Sequence, residues 1–134
     1  QLGYNQIALE QFSEAEVSFK ERLKLSPIDN DLSWTYAGLG LVYLGMGEER
    51  LSEALEFINK ALDESPNAVV LIGYKVVILG FLGSDEAKGL LIKYLKERPN
   101  LKSREDYKQL FIPNTKFVDK MIEGLIKAGW EPVD

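Results

Sequence analysis

Among the side chains of this chain that could do chemistry, the most prominent are adjacent carboxylates. They include Glu48-Glu49, Asp63-Glu64 and Asp85-Glu86. Acid–base catalysis or metal binding would require such groups to converge in a pocket, with shifted pKa values or a full ligand set. These pairs instead lie at expected helix ends and turns, where an anion suits a helix N-terminus or the solvent. We therefore predict no catalytic residue and no metal site.

A cluster of glycines is the second feature that could indicate binding chemistry. Gly38-Leu39-Gly40, together with Gly45 and Gly47, suggests a phosphate-binding loop. A dinucleotide-binding loop requires a strand before the glycines and a helix after them, whereas Trp34–Leu44 has a helical pattern throughout. We interpret the glycines inside this helix as positions where the paired helix packs closely, with Gly45 and Gly47 in the turn between the paired helices, and we predict no cofactor.

The composition excludes several further classes of site and partner. The 134 residues include no cysteine and no histidine, which rules out disulfides, Cys/His zinc sites, thiol nucleophiles and a histidine base. The net charge of −5, without a basic stripe, argues against nucleic acid as a partner. The lack of cysteine fits a reducing compartment, and we expect a cytoplasmic location.

The most apolar run, Ala68 to Gly83, is too short to predict a membrane span. Its 16 residues include Lys75, and a span needs about 20 apolar residues. No signal peptide opens the chain, so we expect no membrane partner. Gln1 falls inside an expected helix and is not an initiator methionine, which predicts that the chain is a piece of a longer protein.

The elements that would position any site follow an internal repeat. An alanine, an apolar residue four places later and a proline twelve places after the alanine recur at Ala15-Phe19-Pro27, Ala54-Ile58-Pro66 and Ala87-Leu91-Pro99. The prolines are 39 and 33 residues apart, a period that is typical of stacked helical hairpins.

Each repeat is expected to contain two helices. Apolar residues at spacings of three and four predict the second helices at Ser13–Leu25, Ser52–Asp63 and Ser84–Glu97. The first helices are expected at Leu2–Leu9, Leu32–Leu44 and Val69–Leu82. The last of these is apolar on nearly every side, which predicts that other elements cover it on both sides.

Two helix starts carry a capping-box pattern. Ser13 is followed three residues later by Glu16, and Ser103 is followed by Asp106. In this pattern each side chain accepts a hydrogen bond from the other residue's backbone N–H. We therefore expect helices to begin at Ser13 and at Ser103.

The pattern changes after the third repeat. A short helix is predicted at Ser103–Ile112, a break at Pro113-Asn114, and an amphipathic helix at Thr115–Ala128. Gly129 suits a helix end, and Trp130 is expected to fold back on the last turn. Because an open terminal repeat exposes its apolar face, this segment is predicted to seal the end of the stack.

Together these elements predict an all-α fold. It is a right-handed superhelical stack of about three helical hairpins, followed by two C-terminal capping helices. The predicted boundaries are residues 1–27 for a partial first repeat, 28–66 for the second, 67–99 for the third and 100–134 for the cap.

The second repeat resembles the tetratricopeptide repeat. That pattern places Leu-Gly, Tyr, Gly, Ala, an aromatic or aliphatic residue, Ala and Pro in order, and this chain supplies Leu39-Gly40, Tyr43, Gly47, Ala54, Ile58, Ala61 and Pro66. The resemblance covers residues 1–99. It implies a non-catalytic protein–protein interaction module whose concave surface is lined by the first helix of each repeat.

The C-terminal segment resembles a second family feature. Leu101–Trp130, and especially Ile122-Glu123-Gly124-Leu125 and Lys127-Ala128-Gly129, is similar to the tail of bacterial class III adenylate or guanylate cyclase-like signalling proteins that carry tetratricopeptide repeats. The resemblance implies a C-terminal regulatory or dimerisation region, with a cyclase domain upstream.

The predicted register assigns a set of first-helix residues to the concave surface. They are Tyr4, Ile7, Trp34, Ala37, Leu41, Leu44, Val70, Gly73, Val77 and Phe81. Two interpretations stay open: core packing, or a groove for an apolar helix or peptide segment. The partner would be another copy, an upstream domain of the same chain or a separate protein. A clamp for a peptide carboxylate is not expected, because Lys75 stands alone and Asn5 has no basic neighbour.

Two other functions stay open at this point. A small helical ligand-binding or enzymatic domain would require a deep pocket with several convergent polar groups. A purely structural spacer would show no exposed apolar patch beyond the few hundred Å² that are common on monomers.

Overall fold

The computed structural model describes residues 2–25, 32–111 and 116–134, with only the backbone of Leu2. In these residues there are eight α-helices and no strand, so the predicted all-α class is confirmed. The helices are α1 (Leu2–Ala8), α2 (Phe12–Leu25), α3 (Leu32–Met46), α4 (Leu51–Glu64), α5 (Val69–Leu82), α6 (Glu86–Glu97), α7 (Arg104–Lys108) and α8 (Lys116–Lys127). A 3₁₀ turn, Glu48–Arg50, precedes α4. Pro27 and the predicted break at Pro113-Asn114 lie outside the described residues.

The first six helices pack as three consecutive pairs. Helix α1 packs on α2, α3 on α4 and α5 on α6, while α2–α3 and α4–α5 contacts join each pair to the next. Contacts of α3 with both α1 and α5 place the first helices of the pairs side by side. The result is a stack of helix pairs, as the repeated sequence pattern predicts.

Glycines allow the helices of the stack to approach closely. A Cβ atom built at Gly38 would overlap the ring of Phe19, a buried residue of α2. At Gly40 it would lie 3.2 Å from the Ala54 carbonyl oxygen and 3.4 Å from the Ile58 nitrogen, both in α4. Both glycines lie inside α3 and no strand precedes them in the described residues. Their interpretation as packing positions is confirmed.

Helix α5 is buried along almost its whole length. Leu71, Val76, Val77 and Ile78 have no exposed surface. The helix lies between α4 and α6, and α8 packs on its remaining side. The prediction that this apolar segment is covered on both sides is confirmed. Since full burial of an aliphatic side chain contributes about 1.5–3 kcal/mol, α5 is a main source of the fold's stability.

A polar cluster fastens the first helix pair to the second. The Tyr43 hydroxyl of α3 donates a 2.6 Å hydrogen bond to Glu16 Oε2 of α2. Lys20 Nζ and Arg50 Nη2 lie 3.1 and 3.8 Å from the same oxygen. The hydrogen bond from Tyr43 is the main cause that lowers the pKa of Glu16, and the two cations lower it further. Glu16 is therefore a charged residue held at the joint between pairs.

The start of α2 differs from the prediction. The helix begins at Phe12, not at Ser13, and Ser13 is exposed. Glu16 was expected to complete a capping box with Ser13, but its carboxylate accepts the hydrogen bond from Tyr43. The partner of the Glu16 carboxylate is therefore Tyr43 of α3. A pattern of two residues three positions apart cannot predict a partner on another helix.

The capping box predicted before α7 is confirmed. The Asp106 backbone N–H donates to Ser103 Oγ at 3.1 Å, and the Ser103 N–H donates to Asp106 Oδ2 at 2.9 Å. The backbone N–H groups of Lys102 and then Ser103 lower the pKa of Asp106, because both bonds favour its charged form.

The residues after α8 fold back onto the protein. Gly129 has a φ of 117°, and the Trp130 N–H donates a 2.9 Å hydrogen bond to the Leu125 carbonyl. The Trp130 side chain is 5% exposed, and its ring centre lies 6.3 Å from that of Tyr107. The predicted return of Trp130 onto the last turn is confirmed.

Candidate functional site: the inner face and helix α8

The first helices of the three pairs present one apolar surface to α8. We call this surface the inner face and define it by the residues that meet α8 or share a cavity with it, Tyr4, Ile7, Leu41, Tyr74, Val77 and Phe81. The opposite sides of α3 and α5 are buried against α4 and α6, the second helices of their pairs. An apolar surface left over in this way must be covered or bind a partner.

Helix α8 covers the α5 part of the inner face. Its buried side holds Phe117, Val118, Met121, Ile122, Gly124 and Leu125. Lys116, Asp119, Glu123 and Lys127 are exposed on its other side. This division of apolar and charged residues is that of an amphipathic helix, as the sequence predicts.

The position of α8 refines the expectation that it seals the end of the stack. The helix packs mainly on α5, the first helix of the last pair, and not on the outer side of α6. On α6, Gly89 faces open space and Ile92 stays 49% exposed. The apolar side of α5 is larger and more continuous, so burying it gains more free energy than covering α6.

The backbones of α5 and α8 come closest at two glycines. A Cβ atom at Gly80 would overlap the carbonyl oxygen of Gly124 and lie 3.1 Å from the Ala128 nitrogen. A Cβ atom at Gly124 would lie 2.6 Å from Val77 Cγ1 and 2.9 Å from the Phe81 ring. No side chain fits at either position without moving the helices apart.

Two lysines of α8 lie close to the ring of Phe81, at one end of the inner face. The Nζ atoms of Lys120 and Lys127 lie 5.6 and 6.0 Å from the centre of the Phe81 ring. Contacts of this kind contribute roughly 0.5–1 kcal/mol each at exposed sites. Phe81 is half-buried, so this end of the inner face is both apolar and accessible.

At the other end, a cavity of about 160 Å³ separates α1 from α8. Its walls are Tyr4, Asn5, Ile7, Ala8, Leu41, Tyr74, Phe111, Phe117, Val118 and Met121. Burial raises the pKa of Tyr74 to about 12, with Tyr94 as a lesser cause. Burial likewise raises the pKa of Tyr4 well above its usual value. Both tyrosines are therefore neutral at any physiological pH.

The structure divides the predicted site residues into four groups, three of which lie at the inner face or in the core. Tyr4, Ile7 and Leu41 surround the cavity, and Val77 and Phe81 lie under α8. Ala37 and Leu44 have no exposed surface and belong to the core.

Three predicted residues lie away from α8. Trp34 is 39% exposed, and its carbonyl accepts a hydrogen bond from the Tyr4 hydroxyl. Val70, near the start of α5, is half-buried. A Cβ atom at Gly73 would lie 2.6 Å from the Tyr94 ring, so Gly73 faces α6 and not the inner face.

Sequence reasoning missed the part of the site that α8 supplies. Phe117 and Met121 line the cavity beside Tyr74, and none of these residues was among the candidates. The amphipathic pattern of Thr115–Ala128 was the available signal, because an apolar helix side needs a complementary surface.

Other kinds of site find no support in the part of the chain that the structure describes. There, no three or more histidine, cysteine, aspartate or glutamate residues are grouped so as to hold a metal ion. Within the same residues, none of the helices combines the length and apolar character that crossing a membrane requires.

Comparison with known proteins supports a repeat scaffold. A stretch of 56 residues is 38% identical to the photosystem I assembly protein Ycf3 of Synechococcus sp. (strain CC9605). The match covers 42% of this chain and 31% of that protein, so the shared stretch is under a third of the relative's length. This similarity indicates a TPR-like helical repeat. No family model matches the chain, and no solved structure does.

Proposed function

We propose that this chain is a non-catalytic protein-interaction module whose inner face binds an amphipathic helix. The observation that supports the proposal most is α8 itself, an amphipathic helix lying on that face. Helix-in-groove recognition depends on apolar anchors at helical spacing, and α8 supplies them at Phe117, Met121 and Leu125. A partner helix of the same pattern would find the same complementary surface.

The geometry of α8 defines the chemistry of a suitable partner helix. The helix must carry a glycine where Gly124 passes Gly80, with aromatic or aliphatic residues one turn to either side. A lysine four residues before that glycine, in the place of Lys120, would add a cation–π contact with Phe81.

The proposed groove keeps every residue of the predicted set except Gly73. Tyr4 and Phe81 of the inner face retain exposed surface and would contact a partner directly. Trp34 and Val70 lie beyond the place of α8 and would be reached by a partner that extends past it, with Trp34 as the aromatic anchor. Ile7, Leu41 and Val77 would meet the partner's apolar side, and Ala37 and Leu44 would support them from below.

The proposal is tested by adding α8 to the chain as a separate peptide. A fluorescent peptide of residues 116–134 is titrated into the wild-type chain and the Gly124→Leu and Gly89→Leu variants. In Gly124→Leu the tethered α8 is expected to leave the inner face, so the peptide should bind. The other two chains should bind at least 100-fold more weakly, because the tethered helix competes at a millimolar effective concentration.

Two outcomes would remove the proposal. One is no saturable peptide binding by a Gly124→Leu chain that keeps its helical circular dichroism. The other is equal binding by all three chains, which would place the peptide elsewhere. A peptide that itself carries Gly124→Leu is the matched negative control, because its leucine would clash with Val77.

The wider context of the module is also a proposal. The similarity to an assembly protein supports a role in bringing proteins together. The resemblance of Leu101–Trp130 to cyclase tails supports a cytoplasmic regulatory or dimerisation region of a larger bacterial signalling protein, with a nucleotide cyclase upstream. The partner is then a second copy, an upstream domain or a separate protein. Sequencing the full gene product tests this, and an upstream domain of another type would contradict the cyclase assignment.

A further inference from the structure

The cavity between α1 and α8 has the size and the walls of a site for one small apolar ring. Its volume of about 160 Å³ is close to the roughly 150 Å³ of an enclosed apolar cavity that takes up benzene, and this one opens to solvent on one side. Ile7, Leu41, Val118 and Met121 supply aliphatic walls, and Phe117 supplies an aromatic one. An apolar ring that enters this space would remove apolar wall area from water and gain dispersion contacts with the walls.

The polar groups of the cavity restrict the ligand's charge. Every one of the ten side chains around it is uncharged. The hydroxyl of Tyr4 is already used, because it donates to the Trp34 carbonyl. A charged ligand would lose its hydration without gaining a counter-ion, which is strongly unfavourable. Asn5, which is exposed, marks the side from which a ligand would enter.

We infer that this cavity is a binding site for a neutral, single-ring aromatic molecule. Three of its walls, Phe117, Val118 and Met121, belong to α8, and three others, Ile7, Leu41 and Tyr74, belong to α1, α3 and α5. A ring in the cavity therefore contacts the inner face and α8 together. Binding requires α8 to be seated, and the ligand in turn stabilises the seated helix by linkage.

The experiment titrates the full chain with toluene and, as the charged control, benzoate. Methyl resonances of Ile7, Leu41, Val118 and Met121 are followed, with those of the exposed Val17 and Ile92 as reference. Toluene should shift the wall methyls saturably and raise the Tm by about 4 °C or more at tenfold excess over its Kd. Benzoate should do neither.

Two variants make the site assignment specific. Ala8→Leu fills the cavity from α1 and should weaken toluene binding at least tenfold, whereas Ala68→Leu, placed at the start of α5, should leave it unchanged. Met121→Ala enlarges the cavity and should bind toluene with a larger rise in Tm than the wild type. If Ala8→Leu does not fold, the saturable shifts of the wild-type wall methyls, set against those of Val17 and Ile92, still decide the question.

The inference is overturned if the wall methyls of the wild-type chain show no saturable shift with toluene. It is also overturned if Ala8→Leu binds toluene as well as Ala68→Leu does. Either failure leaves the peptide titration of the proposed function untouched, because that test uses a chain from which α8 has been displaced.

Discussion

The carbonyl oxygen of Gly124 lies where a side chain at Gly80 would begin. At this point α5 and α8 pack backbone to backbone, and the apolar residues on either side interlock around the contact. The two glycines therefore define the register of α8 on the inner face. A helix that lacks a glycine at this position would be held away from α5 and would lose the surrounding contacts.

Replacing Gly80 by alanine should destabilise the protein by about 1–3 kcal/mol, because the added methyl group meets backbone atoms of α8 that cannot yield without moving the helix. Gly89→Ala is the matched control, since a Cβ atom there meets no neighbour. It should stabilise α6 by about 0.5–1 kcal/mol through backbone entropy. Chemical denaturation measures both changes, and equal effects of the same sign would contradict the close contact.

Replacing Trp34 by alanine should reduce the free energy of unfolding by less than about 1 kcal/mol, because the ring is 39% exposed and the hydrogen bond from Tyr4 uses the backbone carbonyl. Leu44→Ala in the same helix removes a fully buried side chain and should cost about 2–5 kcal/mol. Thermal or chemical denaturation compares the two. A Trp34→Ala loss as large as that of Leu44→Ala would show that Trp34 is a core residue and not a partner contact.

Replacing Tyr43 by phenylalanine should cost about 1–3 kcal/mol at neutral pH, since a partly buried carboxylate loses its hydrogen bond. The pKa of Glu16 in the folded protein lies below the ordinary value of 4.5. Its contribution to stability is therefore complete above pH 4.5 and is lost as the pH falls through the lowered pKa.

The same substitution should also flatten this acid dependence. Without the hydroxyl of Tyr43, the pKa of Glu16 moves back toward its ordinary value, and less stability depends on its charge. Urea denaturation at pH 7 and at a series of pH values below 4.5 measures the change. Parallel stability curves for the wild type and Tyr43→Phe would contradict the assigned role of this hydrogen bond.

Deleting residues 116–134 should expose the apolar side of α5 and cause self-association, because surface now under α8 would face water. Deleting only residues 131–134 is the control, since it leaves α8 and Trp130 in place. Light scattering and dye binding to exposed apolar surface measure the outcome. A long deletion that stays monomeric and as stable as the control would show that α8 does not cover essential apolar surface.

The scaffold could be predicted because each of its signals is local. The spacing from Ala54 to Pro66 defines a helix and its end, and the capping box of Ser103 and Asp106 depends on residues three apart. The close packing at Gly38 and Gly40 was also predictable from local sequence, because the helical pattern around them excluded a phosphate-binding loop.

The placement of α8 could not be predicted because it depends on a choice between two surfaces. The pattern of Thr115–Ala128 predicts a helix with one apolar side. It does not predict whether that side packs on α5 or on α6. The contact of Gly80 with Gly124 joins residues 44 positions apart, and the bond from Tyr43 to Glu16 spans 27. Such distant partners follow from the packed structure, and Glu16 was misassigned to a local cap for that reason.

The most direct test of the account is whether α8 lies on the inner face in solution. A nuclear Overhauser effect between the Val77 γ-methyl protons and the α-protons of Gly124 measures this, because Val77 Cγ1 lies against the α-carbon side of Gly124. The account predicts a strong cross-peak, and none from Gly89 to side chains of other helices. With both resonances assigned, the absence of any cross-peak between Gly124 and α5 would contradict it.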